Sequence, residues 1–173
     1  MQGLGKTGLN ILGLLLKETS KITASDIDSK KVAETRKRFP KVRFVPSEEI
    51  HKQASDVFVP CALSGVLNAR SISELRCSVI AGSANNQLED SHIGDLLHQL
   101  NILYVPDYVI NAGGIMSVMD EYEHEAPSQK RIIKKVEKIK KTLSAIFDRS
   151  KRHNRSPSAI ANEMAEKIFN NHA

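Results

Sequence analysis

Six residues near the start of the chain constrain it most: Gly3-Leu4-Gly5-Lys6-Thr7-Gly8 runs straight into Leu9, Ile11, Leu12, Leu15 and Leu16, so that a GxGxxG loop opens an apolar helix. Each glycine has its own task in such a turn. The first permits the sharp change of direction, the second lets backbone approach a phosphate with no Cβ in the way, and the third lets the helix lie close to the sheet. The N–H groups of the first helical turn have no intrahelical acceptor and, with the helix dipole, attract an anion. Asp26 stands 23 positions after Gly3, at the end of the next apolar run. A carboxylate there can accept hydrogen bonds from ribose hydroxyls and repels a 2′-phosphate, which favours NAD over NADP. The candidate cofactor residues of this part are Gly3, Leu4, Gly5, Lys6, Thr7, Gly8, Asp26 and Ile27. Spacing alone leaves a second possibility open, a glycine-rich turn beside a surface aspartate.

Beyond the loop, short β-rich runs alternate with helical patterns, which predicts an α/β fold with a Rossmann-type doubly wound sheet. Strands are expected at Lys21 to Ile27, Val42 to Val45, Asp56 to Val59, Val79 to Ala81 and Ile102 to Val105. Helices are expected from Ser29, as its cap, to Phe39, over Pro46 to Gln53, and over His92 to Leu100. Only Met1 and Gln2 precede the loop, so the first strand of the sheet is expected to be largely missing, leaving two inner strand edges unpaired. From Ala112 the pattern is wholly helical, over 113–125, 129–150 and a third helix entered through Ser156-Pro157. Residues 1–125 are therefore expected to form the dinucleotide-binding domain, and 126–173 a C-terminal helical layer packed on the sheet or on another domain.

The formal charge of +5 sits in one segment, because residues 130–155 hold 11 of the 25 Lys and Arg but only two of the 20 acids. The same segment carries Ile132, Ile133, Val136, Ile139, Leu143, Ile146 and Phe147 at three- and four-residue spacing, the apolar face of a packed helix with a solvated basic back. With five Phe, three Tyr and no Trp there is little to stack on bases, so no nucleic-acid partner is expected. The longest apolar run, Ile11 to Leu16, is too short to span a bilayer, so no membrane association and a cytoplasmic location are expected. Cys61 and Cys77 lack any CxxC or HxxxH companion, and no metal site is expected. The histidines at 51, 92, 98, 124, 153 and 172 form no cluster that suggests a general base.

Three further motifs follow in order: Pro60-Cys61-Ala62-Leu63, Ala81-Gly82-Ser83-Ala84-Asn85-Asn86-Gln87-Leu88, and Pro106-Asp107-Tyr108-Val109-Ile110-Asn111-Ala112-Gly113-Gly114. Together with the glycine loop, the chain resembles over essentially its whole length the nucleotide-binding domain of the glutamate, leucine, phenylalanine and valine dehydrogenases, the leucine/valine branch most of all. Two departures stand out: Lys6-Thr7 replaces an Asn-Val type pair, and Ser64 replaces a glycine.

The resemblance implies oxidative deamination of a branched-chain L-amino acid, such as leucine or valine, to a 2-oxo acid with hydride transfer to NAD. It implies that Cys61, Ala62, Leu63 and Ala84 bind the cofactor, and that Asn85 and Asn111 hold both the nicotinamide amide and the polar end of the substrate. Ile115 and Val118, at i and i+3 on the helix after Gly114, would offer an apolar wall to the substrate, with ordinary core packing as the alternative. The resemblance places the catalytic lysine and aspartate in a separate N-terminal catalytic domain, so no catalytic residue is expected in this chain. It is then expected to be a fragment inactive by itself, belonging to a homo-oligomer when full length. A non-catalytic dinucleotide-binding or interaction module, recruiting a partner by strand addition, is the alternative.

Overall fold

A computed structural model describes every residue except 20, 63, 125, 127 and 171–173. The fold is mixed α/β, with two small parallel sheets and several helices. In chain order the elements are α1 (Lys6–Glu18), β1 (Thr23–Ala24), α2 (Ser29–Arg38), β2 (Arg43–Phe44), a 3-10 helix (Ser47–Lys52), β3 (Val57–Phe58), α3 (Ala69–Ser73) and β4 (Val79–Ile80). There follow α4 (Ser91–Gln99), β5 (Leu103–Tyr104), α5 (Asp107–Ile110), α6 (Gly113–Glu123), α7 (Gln129–His153) and α8 (Pro157–Asn170). All five expected strands are present as shorter ladders, and β1 pairs with β2 while β4 lies between β3 and β5, all parallel.

The expectation of two unpaired inner edges is corrected by Gln2, which bridges Ser25 beyond β1 and Pro60 beyond β3. Its N–H donates to Val59 O at 2.9 Å and its carbonyl accepts from Cys61 N–H at 2.7 Å, while on the other side Ser25 N–H donates to Met1 O at 3.1 Å and Gly3 N–H to Ser25 O at 2.8 Å. Two residues therefore suffice to join the two sheets in the order β2, β1, Gln2, β3, β4, β5, that of a partial doubly wound arrangement.

Each sheet has its own apolar filling. Leu4 and Leu12 of the loop and α1 meet Ile22, Ala24 and Val42, whereas Phe58, Ile80 and Tyr104 meet Leu67, Ile72, Ile93 and Leu97. Burying a leucine such as Leu12, which is fully enclosed, contributes about 1.5–3 kcal/mol. The C-terminal helices close a third cluster around Ile146, Ile160 and Ala161, and α8 crosses α4 so closely that a Cβ on Gly94 would stand 2.2 Å from Ser158 Oγ.

Capping refines the helix boundaries. Asp28, rather than Ser29, caps α2 by accepting from the N–H groups of Lys30 and Lys31. The break after α7 is made by Asn154, which is left-handed at φ 49°. Helix α3, absent from the sequence-based assignment, is held by Asn68 and Ser71, each accepting from the other's backbone N–H. Among the described residues no helix is long and apolar enough to cross a membrane.

Candidate functional site

The glycine loop turns between the Gln2 bridge and α1. Gly3 has φ +100°, and a Cβ there would lie 2.7 Å from Cys61 O and 2.9 Å from Ala62 N, which seats the loop directly on the Cys61-Ala62 backbone. A Cβ on Gly8 would meet Gly3 O at 2.2 Å, so the third glycine permits the helix to lie against the loop. Gly5 differs from both. Its backbone is extended (φ −70°, ψ −176°) and a Cβ there would meet nothing within 4 Å. Its missing side chain leaves open space at the mouth of α1.

That mouth carries no side-chain cap, whereas α2, α4 and α7 are capped by Asp28, Asp90 and Ser128. Lys6 and Thr7 are exposed on the first turn and Leu4 is buried beneath it. The uncapped amides, the open space at Gly5 and the exposed Lys6 together make a cradle that suits a phosphate.

Asp26 closes the other side. Its Oδ2 accepts from Leu4 N–H at 2.6 Å and its Oδ1 from Asp28 N–H at 2.9 Å. A carboxylate has about four lone-pair positions, so each oxygen retains capacity to accept from a hydroxyl. Ile27 beside it projects into solvent, 83% exposed.

Across the Gln2 bridge, Cys61 is half-buried and Ala62 exposed, while Leu63 lies outside the described residues. Ala84 is buried, its N–H donating to Pro60 O at 3.0 Å. Asn111 and Asn85, 26 positions apart, come together through Asn111 Nδ2 donating to Asn85 Oδ1 at 2.6 Å. Behind them is a residue that sequence reasoning missed. Gln87 is fully buried, donates from Nε2 to Gly82 O at 3.1 Å and Ala84 O at 2.9 Å, and from its backbone N–H to Asp107 Oδ2 at 2.8 Å. It ties the loop bearing Asn85 to the segment leading to Asn111.

Ile115 and Val118 are 61% and 59% exposed on α6, so within this chain they are not core. One turn further on, Asp120 is enclosed and accepts from Arg131 Nε and Nη2, both at 3.0 Å, and from Ser128 N–H at 3.0 Å. The Arg131 guanidinium, then the Ser128 amide and Lys135, hold its carboxyl down to about 2. Lys130, Lys134, Lys138 and Lys141 are exposed as expected, but Arg131 and Lys135 of the same helix turn inward to fix α6 on α7. Among the described residues no group of three His, Cys, Asp or Glu side chains is placed to hold a metal ion.

The chain is also similar to known proteins over most of its length. Residues 3–170 match the model of the Glutamate/Leucine/Phenylalanine/Valine dehydrogenase family. The chain is 38% identical over 168 residues to leucine dehydrogenase of Geobacillus stearothermophilus, covering 96% of this chain and 45% of the relative. It is 41% identical over 157 residues to phenylalanine dehydrogenase of Thermoactinomyces intermedius, covering 89% and 42%. The crystal structure of L-tryptophan dehydrogenase from Nostoc punctiforme superposes with a TM-score of 0.91 at 38% identity, covering 98% of this chain and 50% of that one. The chain spans about half the length of the relatives it matches.

Proposed function

The chain belongs to the Glutamate/Leucine/Phenylalanine/Valine dehydrogenase family, and from that premise we propose that it is the NAD-binding part of an amino acid dehydrogenase. The observation that carries this reading is the uncapped mouth of α1 with Asp26 beside it, its carboxylate already bonded to Leu4 N–H at 2.6 Å. The amides of residues 5–8 bind the pyrophosphate, Lys6 adds charge, and Asp26 with Ile27 takes the adenosine ribose. Cys61, Ala62 and Ala84 supply further cofactor contacts, a role that the motif also assigns to Leu63. Asn85 and Asn111 orient the carboxamide and the polar end of the substrate. When bound, NAD accepts a hydride from the amino acid carbon. In this reading residues 1–125 form the cofactor domain, and 126–173 form C-terminal helices that pack on its sheet or on the catalytic domain.

The substrate in this reading is a branched-chain L-amino acid such as leucine or valine. The exposed Ile115 and Val118 support it, because two branched side chains one helical turn apart present an apolar wall to the side that α6 leaves open. In this reading the substrate's protons are handled by a lysine and an aspartate of another domain. A separate catalytic domain supplies them in a cytoplasmic homo-oligomer, and the chain alone turns over negligibly.

Calorimetric titration with NAD and NADP tests the cofactor assignment, with saturable NAD binding and weaker NADP binding expected. An absorbance assay for NADH with leucine or valine then tests the division of labour. Robust turnover by the 173-residue chain would overturn the assignment of proton handling to another domain.

A further inference from the structure

Asn85 and Asn111 are joined by the 2.6 Å bond from Asn111 Nδ2 to Asn85 Oδ1, and Asn85 is exposed. Water competes for a bond so placed, so it contributes little to holding the two amides in one orientation. What fixes them lies beneath. Ala84 O accepts from Gln87 Nε2 at 2.9 Å and, at 3.5 Å, from Asn111 Nδ2. The same Nε2 donates to Gly82 O at 3.1 Å, so the fully buried Gln87 closes the loop that carries Asn85. The left-handed Asn86, at φ 49°, turns the chain back between the two.

The closure extends to the second asparagine through Asp107, which is buried. Its Oδ2 accepts from Gln87 N–H at 2.8 Å, its Oδ1 from Tyr108 N–H at 2.7 Å, and its backbone carbonyl from Asn111 N–H at 2.9 Å. One residue thus grips the Gln87 backbone with its side chain and Asn111 with its main chain. Gln87 Oε1 has no donor among the described residues. Reversing the amide would set that oxygen against the carbonyls of Gly82 and Ala84, so the NH2 end is fixed where it stands. A half-paired buried amide costs stability that an apolar side chain of the same size would not. The use of this side chain therefore lies in the two bonds it donates, and both hold the loop of Asn85.

We propose that Gln87 is a positioning residue: with Asp107 it sets Asn85 and Asn111 for the nicotinamide end of the dinucleotide and leaves the adenosine end unaffected. This rests on the dinucleotide reading above, in which the two asparagines meet the carboxamide while the glycine loop and Asp26 meet the rest. Gln87 has no exposed surface and acts only through its neighbours.

The test is calorimetric titration of the 173-residue chain and two variants with NAD and with ADP-ribose, which lacks the nicotinamide. Gln87→Met keeps the volume and removes both donors. It should weaken NAD about tenfold, the worth of one hydrogen bond, and change ADP-ribose by less than about twofold. Asp107→Asn leaves an oxygen for only one of its two N–H donors, and should shift the same ratio in the same direction by less. In wild type without ligand, the Asn111 side-chain NH2 signals should be displaced from free-amide values and slow to exchange with water; in Gln87→Met they should move toward the free amide. A role in stability alone would lower the unfolding midpoint and leave both the ratio and these signals as they are. If wild type binds both ligands, an unchanged ratio in the folded variants, or free-amide signals from Asn111 in wild type, would overturn this proposal alone. No NAD binding by wild type would overturn the dinucleotide reading together with it.

Discussion

The backbone N–H of Leu4 donates to Oδ2 of Asp26 across 2.6 Å, linking the second residue of the glycine loop to the acid that follows the neighbouring strand. Two features that the sequence shows 23 residues apart are thus one structural unit, and the acid orders the loop before any ligand arrives.

Asp26→Asn keeps one oxygen for Leu4 N–H but removes the charge and turns an amide NH2 toward Asp28 N–H. Hydrogen bonds to charged groups contribute about 1.5–3 kcal/mol, so NAD affinity should fall roughly 10- to 100-fold, with a smaller loss of stability from the one backbone bond given up. Asp26→Ala strips acceptors from both Leu4 and Asp28 and should also lower stability by about 1–3 kcal/mol. Calorimetry and urea denaturation of both variants check the pair of outcomes.

The glycines separate folding from binding. Gly8→Ala places a Cβ where Gly3 O stands 2.2 Å away, and the strain should outweigh the roughly 1 kcal/mol that alanine gains in a helix, so the midpoint of urea unfolding should drop. Gly5→Ala meets open space and an ordinary extended backbone, so the chain should unfold much as before. Its methyl group should nonetheless obstruct the cradle and abolish measurable NAD binding.

Asn111 can be tested against a ligand that lacks the nicotinamide. Asn111→Ala breaks a half-exposed amide pair with Asn85 and should change stability by no more than about 0.5 kcal/mol. It should weaken NAD while leaving ADP-ribose affinity unchanged. Equal losses for both ligands would place Asn111 on the adenosine side instead.

What could be read from sequence divides along local and long-range lines. The alternation of runs gave every strand, because β-rich stretches such as Val79 to Ala81 are short and bounded, although the ladders are trimmed to their central pairs. Asp26 and the glycines were legible because their spacing is set by one strand and one helix. Gln2 was not, since a two-residue segment has no periodicity, and its role comes from partners 23 and 58 positions away. Gln87 and the Asp120–Arg131 pair escaped for the same reason: a buried polar side chain reads as a surface one until its partner on another element is seen. The Asn68 and Ser71 capping pair of α3 did leave a local signal, an Asn three residues before a Ser, in place of the more familiar Ser/Thr with Glu.

Asp120 makes the α6–α7 contact sensitive to acid. Its carboxyl is held at about 2 in the fold, against an ordinary value of 3.8. A depressed carboxyl contributes stability that is fully present above its unfolded value and is lost as pH falls toward the folded one. Wild type should therefore lose urea resistance between about pH 4 and pH 2 more steeply than Asp120→Asn, and the two should converge at the acid end. Glu163, held at about 2 by Lys167 and Arg155, adds to the slope in both proteins. Amide hydrogen exchange along α6 and α7 should report the same window, with protection lost first around Ser128.

The most direct measurement is amide chemical-shift mapping of the chain during titration with NAD. The account predicts saturable shifts concentrated at Gly5, Lys6, Thr7, Gly8 and Asp26, with a second group at Asn85 and Asn111. Shifts centred elsewhere, or none at millimolar NAD, would contradict it.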